Sequence, residues 1–164
     1  MRNGVRFLFL GCLAALGLAA CATLHESSGA PASSFRTLRR ASGGEKQEVV
    51  TARTPEELKD LWSLLFANDK TPPPVPAVDF SKETVIAVFR GCLPNTCYAT
   101  AVKQVSPAAD GMTVWVEDTD PGADCVCGMA ITCPYHLVAV PRFEGTAEVR
   151  RSTKTTICAP QRRR

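Results

Sequence analysis

Residues 84–89 read Thr84-Val85-Ile86-Ala87-Val88-Phe89, a run of β-branched and apolar side chains with no polar residue after Thr84. A half-exposed strand would alternate apolar with polar side chains. A continuous run this short is the pattern of a central strand covered on both faces. The rest of the chain must therefore supply two layers, one for each face.

One layer is written just upstream. Residues 55–66 show apolar side chains at Leu58, Leu61, Trp62 and Leu65, the i, i+3, i+4, i+7 spacing of a single helical stripe. Thr54 is a good N-cap, Pro55 suits the first helical position, and Glu57 completes a T-x-x-E capping box. The stripe, Trp62 included, is expected to pack on the sheet as core. Thr71-Pro72-Pro73-Pro74-Val75-Pro76 cannot continue a helix and is expected to be a stiff connector.

The other layer lies downstream, where the pattern is β. Tyr98 to Val105 is rich in Val, Ala and Thr. Met112, Val114 and Val116 alternate with Thr113, Trp115 and Glu117, and Asp110-Gly111 marks a turn, so a hairpin is predicted. Ile131-Thr132, Leu137–Val140 and Thr146–Arg150 read as further strands. Upstream, strands are predicted at 35–38 and 47–52, separated by the Ser42-Gly43-Gly44 turn. The expected fold is α+β or mainly antiparallel β. It is a single small disulfide-stabilised β domain over 35–158 with one amphipathic helix packed on the sheet.

The chain has 164 residues, 45% of them hydrophobic, which suits one domain and rules out wholesale disorder. Residues 1–20 carry Arg2 and Arg6 ahead of a nearly unbroken apolar run, the pattern of a secretory signal. Leu18-Ala19-Ala20-Cys21 resembles the bacterial lipobox. That resemblance implies cleavage before Cys21, lipidation of its thiol, and acylation, palmitate included, of the new amine. Ala22 in place of Asp implies the outer membrane, with the periplasmic or surface leaflet left open. Residues 21–34, rich in Ser, Ala and Gly, read as a flexible tether. Loss of Arg2 and Arg6 lowers the 19 basic residues to 17, against 16 acidic. The basic tail 159–164 holds three of those as Arg162, Arg163 and Arg164, so the body is near neutral. No basic face points to nucleic acid.

Eight cysteines are many for this length. Cys12 leaves with the signal and Cys21 is the lipidation site. Cys92, Cys97, Cys125, Cys127, Cys133 and Cys158 remain, and in an oxidising compartment three disulfides are expected, with 15 connectivities open. Cys92 and Cys97 flank a Leu-Pro-Asn-Thr turn and are placed to close a small loop. Cys125 and Cys127 are too near to pair with each other and are expected to reach different partners. The alternatives are a metal site from Cys125, Cys127, Cys133 and His136, or a redox-active pair. Neither spacing is the usual one, so no metal and no cofactor is predicted.

Glu117, Asp118, Asp120 and Asp124 surround Pro121-Gly122. They lack the ligand spacing of a calcium loop and read as a solvated turn. His136 has no recognisable nucleophile motif beside it and reads as structural. No catalytic constellation is present, so the domain is expected not to be an enzyme.

Ordered short motifs carry a family resemblance. Residues 78–89, with Asp79-Phe80 ahead of Val85-Ile86-Ala87-Val88-Phe89, resemble the strand entry of the C-terminal domain of PrcB, an accessory subunit of a surface protease complex. Gly91 and Tyr98 resemble that family's "G…GGY" hairpin. Val114 to Glu117 with Pro121, and then Cys133-Pro134-Tyr135-His136-Leu137-Val138-Ala139-Val140-Pro141, resemble its later segments. Glu57-Leu58 and Leu61-Trp62 have its "EL…LW" look. Where the family has glycines before Tyr98, this chain has Cys92 to Cys97. The resemblance implies a lipid-anchored envelope protein acting as a protein-binding or accessory domain, with a protease as candidate partner. Leu93-Pro94-Asn95-Thr96 ahead of Tyr98 is also similar to the "N-P-T-T-G-Y" loop of chagasin-like inhibitors. Leu93, Pro94, Asn95, Thr96 and Tyr98 therefore form the candidate binding loop, and a protease inhibitor using the Cys92–Cys97 loop is the alternative function. A metal- or redox-active envelope protein is the other.

Overall fold

The computed structural model describes residues 33–158. The signal peptide, Cys21, nearly all of the tether and the basic tail lie outside the described residues. Seven strands and one helix follow in the order β1 (Arg36–Ser42), β2 (Val49–Ala52), α1 (Pro55–Leu65), β3 (Glu83–Phe89), β4 (Ala99–Ala108), β5 (Gly111–Pro121), β6 (Pro134–Pro141) and β7 (Thr146–Thr156). They form two sheets, ordered β1-β6-β3-β2 and β4-β5-β7.

Strand β3 is interior to the first sheet, with β6 and β2 as antiparallel neighbours. Its alternate side chains go to opposite layers. Ile86 and Val88 join Val102, Val105, Met112, Val114, Val116, Val138 and Val140 in the core between the sheets. Ala87 and Phe89 pack with Leu61, Trp62, Tyr135 and Leu137 beneath the helix, and Val85 packs with Leu58 and Ala52. The unbroken apolar run follows from burial on both sides. Helix α1 starts where the capping residues place it. The Thr54 hydroxyl accepts the Glu57 amide at 3.2 Å, and the Glu57 carboxylate accepts the Arg53 amide at 2.6 Å. Burying Leu58, Leu61 and Trp62 contributes about 1.5–3 kcal/mol each. The proline-rich connector returns along the helix, where the Pro73 carbonyl accepts the Trp62 indole N–H at 2.8 Å.

The predicted hairpin is β4–β5, turning at Asp110-Gly111. Gly111 (φ 146°) is required there, because a Cβ would lie 2.0 Å from the Thr146 carbonyl oxygen. A bulge between Val102 and Gln104 lets both Val102 and Val105 face the core despite their spacing of three.

Several expectations are corrected. Ile131-Thr132 is not a strand: it makes one isolated bridge from Thr132 to Leu93, and Ile131 is exposed. Strand β7 runs on to Thr156, because it pairs with β5 along that strand's full length. That pairing is parallel in an otherwise antiparallel fold. The chain leaves the top of β5, descends the other sheet as β6, and must begin β7 at the bottom. Of the four acids around Pro121-Gly122, only Asp124 lies in an exposed turn. Glu117, Asp118 and Asp120 lie on β5, and Asp118 is buried.

The strand directions define two ends. The described chain starts at one, with Ser33 beside Val105 and Arg36 beside Ala139. The loops 43–48, 90–98 and 122–133 and residues 157–158 gather at the other, where all six cysteines lie.

Candidate protein-binding face at the disulfide-linked end

Three disulfides tie the loops of this end: Cys92–Cys133, Cys97–Cys127 and Cys125–Cys158. Cys125 and Cys127 reach different partners, as their adjacency requires. The small Cys92–Cys97 loop does not close. The Leu93 and Thr132 backbones pair reciprocally at 2.8 and 2.9 Å, setting Cys92 against Cys133. Thr96 and Gly128 exchange two hydrogen bonds at 3.1 and 3.0 Å, setting Cys97 against Cys127. Each cysteine therefore faces the other loop rather than its near neighbour. The inhibitor reading loses the self-closed loop it assumed. The cysteines of the alternative metal set end in three different disulfides, and among the described residues no His, Cys, Asp and Glu group gathers as a metal site.

Of the candidate loop residues, only Pro94 and Thr96 are exposed. Leu93, Asn95 and Tyr98 are half-buried. The Asn95 side chain accepts the Cys97 amide at 3.1 Å, and the Arg90 guanidinium lies 5.2 Å from the Tyr98 ring centre. Apart from Leu64 on α1, the most exposed large apolar side chains lie instead on the facing loops and at residue 157. Val126, Met129, Ile131 and Ile157 are 77%, 92%, 76% and 89% exposed. Three of the four fall within six residues, and Ile157 adjoins Cys158, whose disulfide partner Cys125 adjoins Val126. Large apolar side chains in the open on a cross-linked frame make this end the candidate interaction surface. The sequence reading missed them, because apolar residues in a glycine- and cysteine-rich stretch show no period. For Val126, Met129 and Ile157 the one signal was that no core pattern claimed them, while Ile131 was assigned to a strand that does not form.

Beneath the loops, the layer between the sheets turns polar. Arg90, Asp118, Arg151 and His136 sit at the positions that continue the inward series Ile86–Val88, Val114–Val116, Ala147–Val149 and Val138–Val140. Asp118 accepts from the Thr100 hydroxyl at 2.6 Å and from Arg151 Nη1 at 3.2 and 3.1 Å, with Arg90 Nε at 3.8 Å. Arg151 also donates to the Phe89 carbonyl at 2.8 Å. Arg90 donates to the Ala99 and Thr119 carbonyls at 3.0 and 2.7 Å and pairs with Asp120. This network ties β3, β4, β5 and β7 directly under the loop frame.

His136 is 3% exposed and structural, as expected. The Val102 amide donates to its Nδ1 at 2.8 Å, so the ring proton is on Nε2 and faces the Thr37 hydroxyl at 2.9 Å. One imidazole thereby joins the two sheets at the bulge. Burial, and secondarily the positive charge of Arg40, lowers its pKa from 6.5 to about 4. Between these values the unfolded chain takes up a proton that the folded chain refuses. Stability is therefore full above pH 6.5 and falls as the pH drops toward 4, by up to about 3 kcal/mol. Urea unfolding of wild type and His136→Gln at pH 7 and pH 4.5 reads this. The acid loss should be clearly smaller in the variant, and equal losses would assign it to other groups.

Neither the curated proteins nor the solved structures hold a match to the chain. The segment from β3 through β6, which carries Arg90, Asp118, His136 and the loops bearing five of the six cysteines, matches the family described as PrcB C-terminal over residues 84–141 and is the PrcB-like part of this protein.

Proposed function

We propose that this protein is a lipid-anchored accessory domain of the cell envelope that binds a partner protein, with an envelope protease as the leading candidate. The observation that carries the binding role is the group of exposed apolar side chains on the disulfide-tied loops, three of them (Val126, Met129 and Ile131) in the PrcB-like segment. The loops are ordered in advance by covalent links, so docking costs little chain entropy.

The anchor favours the same face. With lipid on Cys21, the chain enters the domain at Ser33, at the end opposite the disulfides. The 11 residues of β5 span about 35 Å between the ends. Laying the disulfide end on the bilayer would draw the segment from Cys21 to Ser33 out nearly to its limit of about 40 Å. That end therefore points away from the membrane, toward other proteins.

Cross-linking in native envelopes, followed by mass spectrometry, tests both parts. Wild type should fractionate with the outer membrane and capture one protein reproducibly, while Cys21→Ser, neither lipidated nor cleaved, should be lost from the outer-membrane fraction. Recovery of that protein should fall at least about tenfold when Val126, Met129 and Ile131 are changed together to Glu, since these loops carry no core side chain. Unchanged recovery would remove this face from the binding role.

A further inference from the structure

The second sheet has two edge strands, β4 and β7, and an edge with unpaired backbone groups is a template for another strand. Strand β4 is engaged along its length. Its Val105 carbonyl accepts the Ser33 amide at 2.8 Å, its Val102 amide donates to His136 Nδ1 at 2.8 Å, and its Ala99 carbonyl accepts from Arg90 at 3.0 Å. Strand β7 pairs with β5 alone among the described residues.

Two hydrogen bonds fix which way the β7 backbone faces. The Thr146 amide donates to the Asp110 carbonyl at 3.0 Å, and the Thr156 carbonyl accepts the Gly122 amide at 2.9 Å. Both bonds lie on the β5 side, and the ladder runs between them without a register shift. Backbone groups alternate sides along a strand, so the even-numbered residues face β5. Arg151, Thr153 and Thr155 therefore turn their amides and carbonyls to the other edge, where no described residue meets them. From Ser152 to Thr155 the strand is exposed on both faces. It leads straight into Ile157, one of the exposed apolar side chains of the candidate binding face, and Cys158 ties it to Cys125 beside Val126. The open edge is thus continuous with that face.

Residues 150–156 hold Arg150, Arg151 and Lys154 and no acid. Arg151 points inward to Asp118. Arg150 and Lys154 stand four residues apart on the outer face of the sheet. Arg150 meets the exposed Glu148 at 3.3 Å, and Lys154 makes no ion pair among the described residues.

We infer that an extended segment of the partner protein adds as a strand to the edge of β7 between Arg150 and Thr156, a span of about 20 Å. It sets acidic side chains four residues apart against Arg150 and Lys154 and an apolar side chain against Ile157. Main-chain pairing supplies the common part of such recognition, and the side chains select the sequence. The two cations disfavour strands that lack acids. The inference rests on the proposed accessory function and gives the form of that same contact.

Cross-linking of the full-length chain in native envelopes is repeated with a photoreactive side chain at Thr155, and the linked peptide is sequenced. It should come from the protein that wild type captures and carry Asp or Glu four residues apart. Recovery of that protein should fall about tenfold with Lys154→Glu. It should fall at least as far with Thr153→Pro, which deletes one edge amide, and stay unchanged with Thr153→Ala. Both positions are exposed and the Thr153 amide faces away from β5, so the urea midpoints should stay near that of wild type. No link from Thr155, a link to a second copy of this chain, a linked segment without the paired acids, or indifference to either Lys154→Glu or Thr153→Pro would overturn the inference. Capture of no protein by wild type would remove the accessory reading and this inference with it. A partner lost on changing Val126, Met129 and Ile131 but indifferent to β7 would remove only this one.

Discussion

Reduction of all three disulfides should cost the domain about 5–10 kcal/mol and move its urea midpoint down by more than half. The bridges join residues 41, 30 and 33 positions apart. Each alone restrains the unfolded chain by about 4 kcal/mol in the loop-entropy account. The loops are nested and overlapping, so the effects do not add in full. A domain of this size has about 5–15 kcal/mol in all. The native side of the balance agrees. Residues 122–133 contribute no side chain to the buried core, so little besides the bridges and a few backbone hydrogen bonds fixes them. Urea unfolding followed by circular dichroism, with and without reductant, gives the answer. An unchanged midpoint with all six thiols free would show that the two-sheet core carries the fold without its staples. Cys97→Ser with Cys127→Ser should fall between, with a loss of about 2–4 kcal/mol.

Asp118→Ala should destabilise the domain by about 3–5 kcal/mol. The substitution strands two guanidinium groups whose side chains are only 10% and 20% exposed, Arg90 and Arg151, with the half-exposed Asp120 as the one carboxylate left nearby among the described residues. Breaking a buried ion cluster from one side costs more than the cluster contributes, because the remaining charges stay out of water. Replacing all three members together, Arg90→Met, Asp118→Leu and Arg151→Met, should recover much of the loss for the same reason. Urea unfolding of the single and triple variants separates the two effects. A loss below about 1 kcal/mol for Asp118→Ala would mean that water reaches the arginines. The network also supports the loops above it, so Asp118→Ala should speed hydrogen exchange at residues 90–98.

Several particular residues show how far the chain could be read. Thr84 to Phe89 announced burial on both faces, and Thr54 with Glu57 placed the helix start, because period and capping are local rules. Asp118 is not a turn acid, although Pro121-Gly122 follows it closely. It continues the alternation of Met112, Val114 and Val116, and a carboxylate at an inward position calls for a buried cation. Arg151 sits at a matching inward position on β7, and Arg90 at the one that follows the end of β3. Nothing local links three residues separated by 28 and 33 positions. The same holds for the cysteines: adjacency excluded a Cys125–Cys127 bridge, but the partners depended on which loops lie side by side.

Local sequence alone settles the elements: which strand is central, where the helix begins, where the hairpin turns, and that Cys125 and Cys127 must part. Each follows from side-chain period, backbone preference or covalent reach within about a dozen residues. The parallel seating of β7, the disulfide pairing, the polar layer beneath the loops, and the gathering of Val126, Met129, Ile131 and Ile157 at one end arise only in the folded chain. These depend on how separate segments meet in space, where long-range packing sets the partners and local pattern carries no information about them.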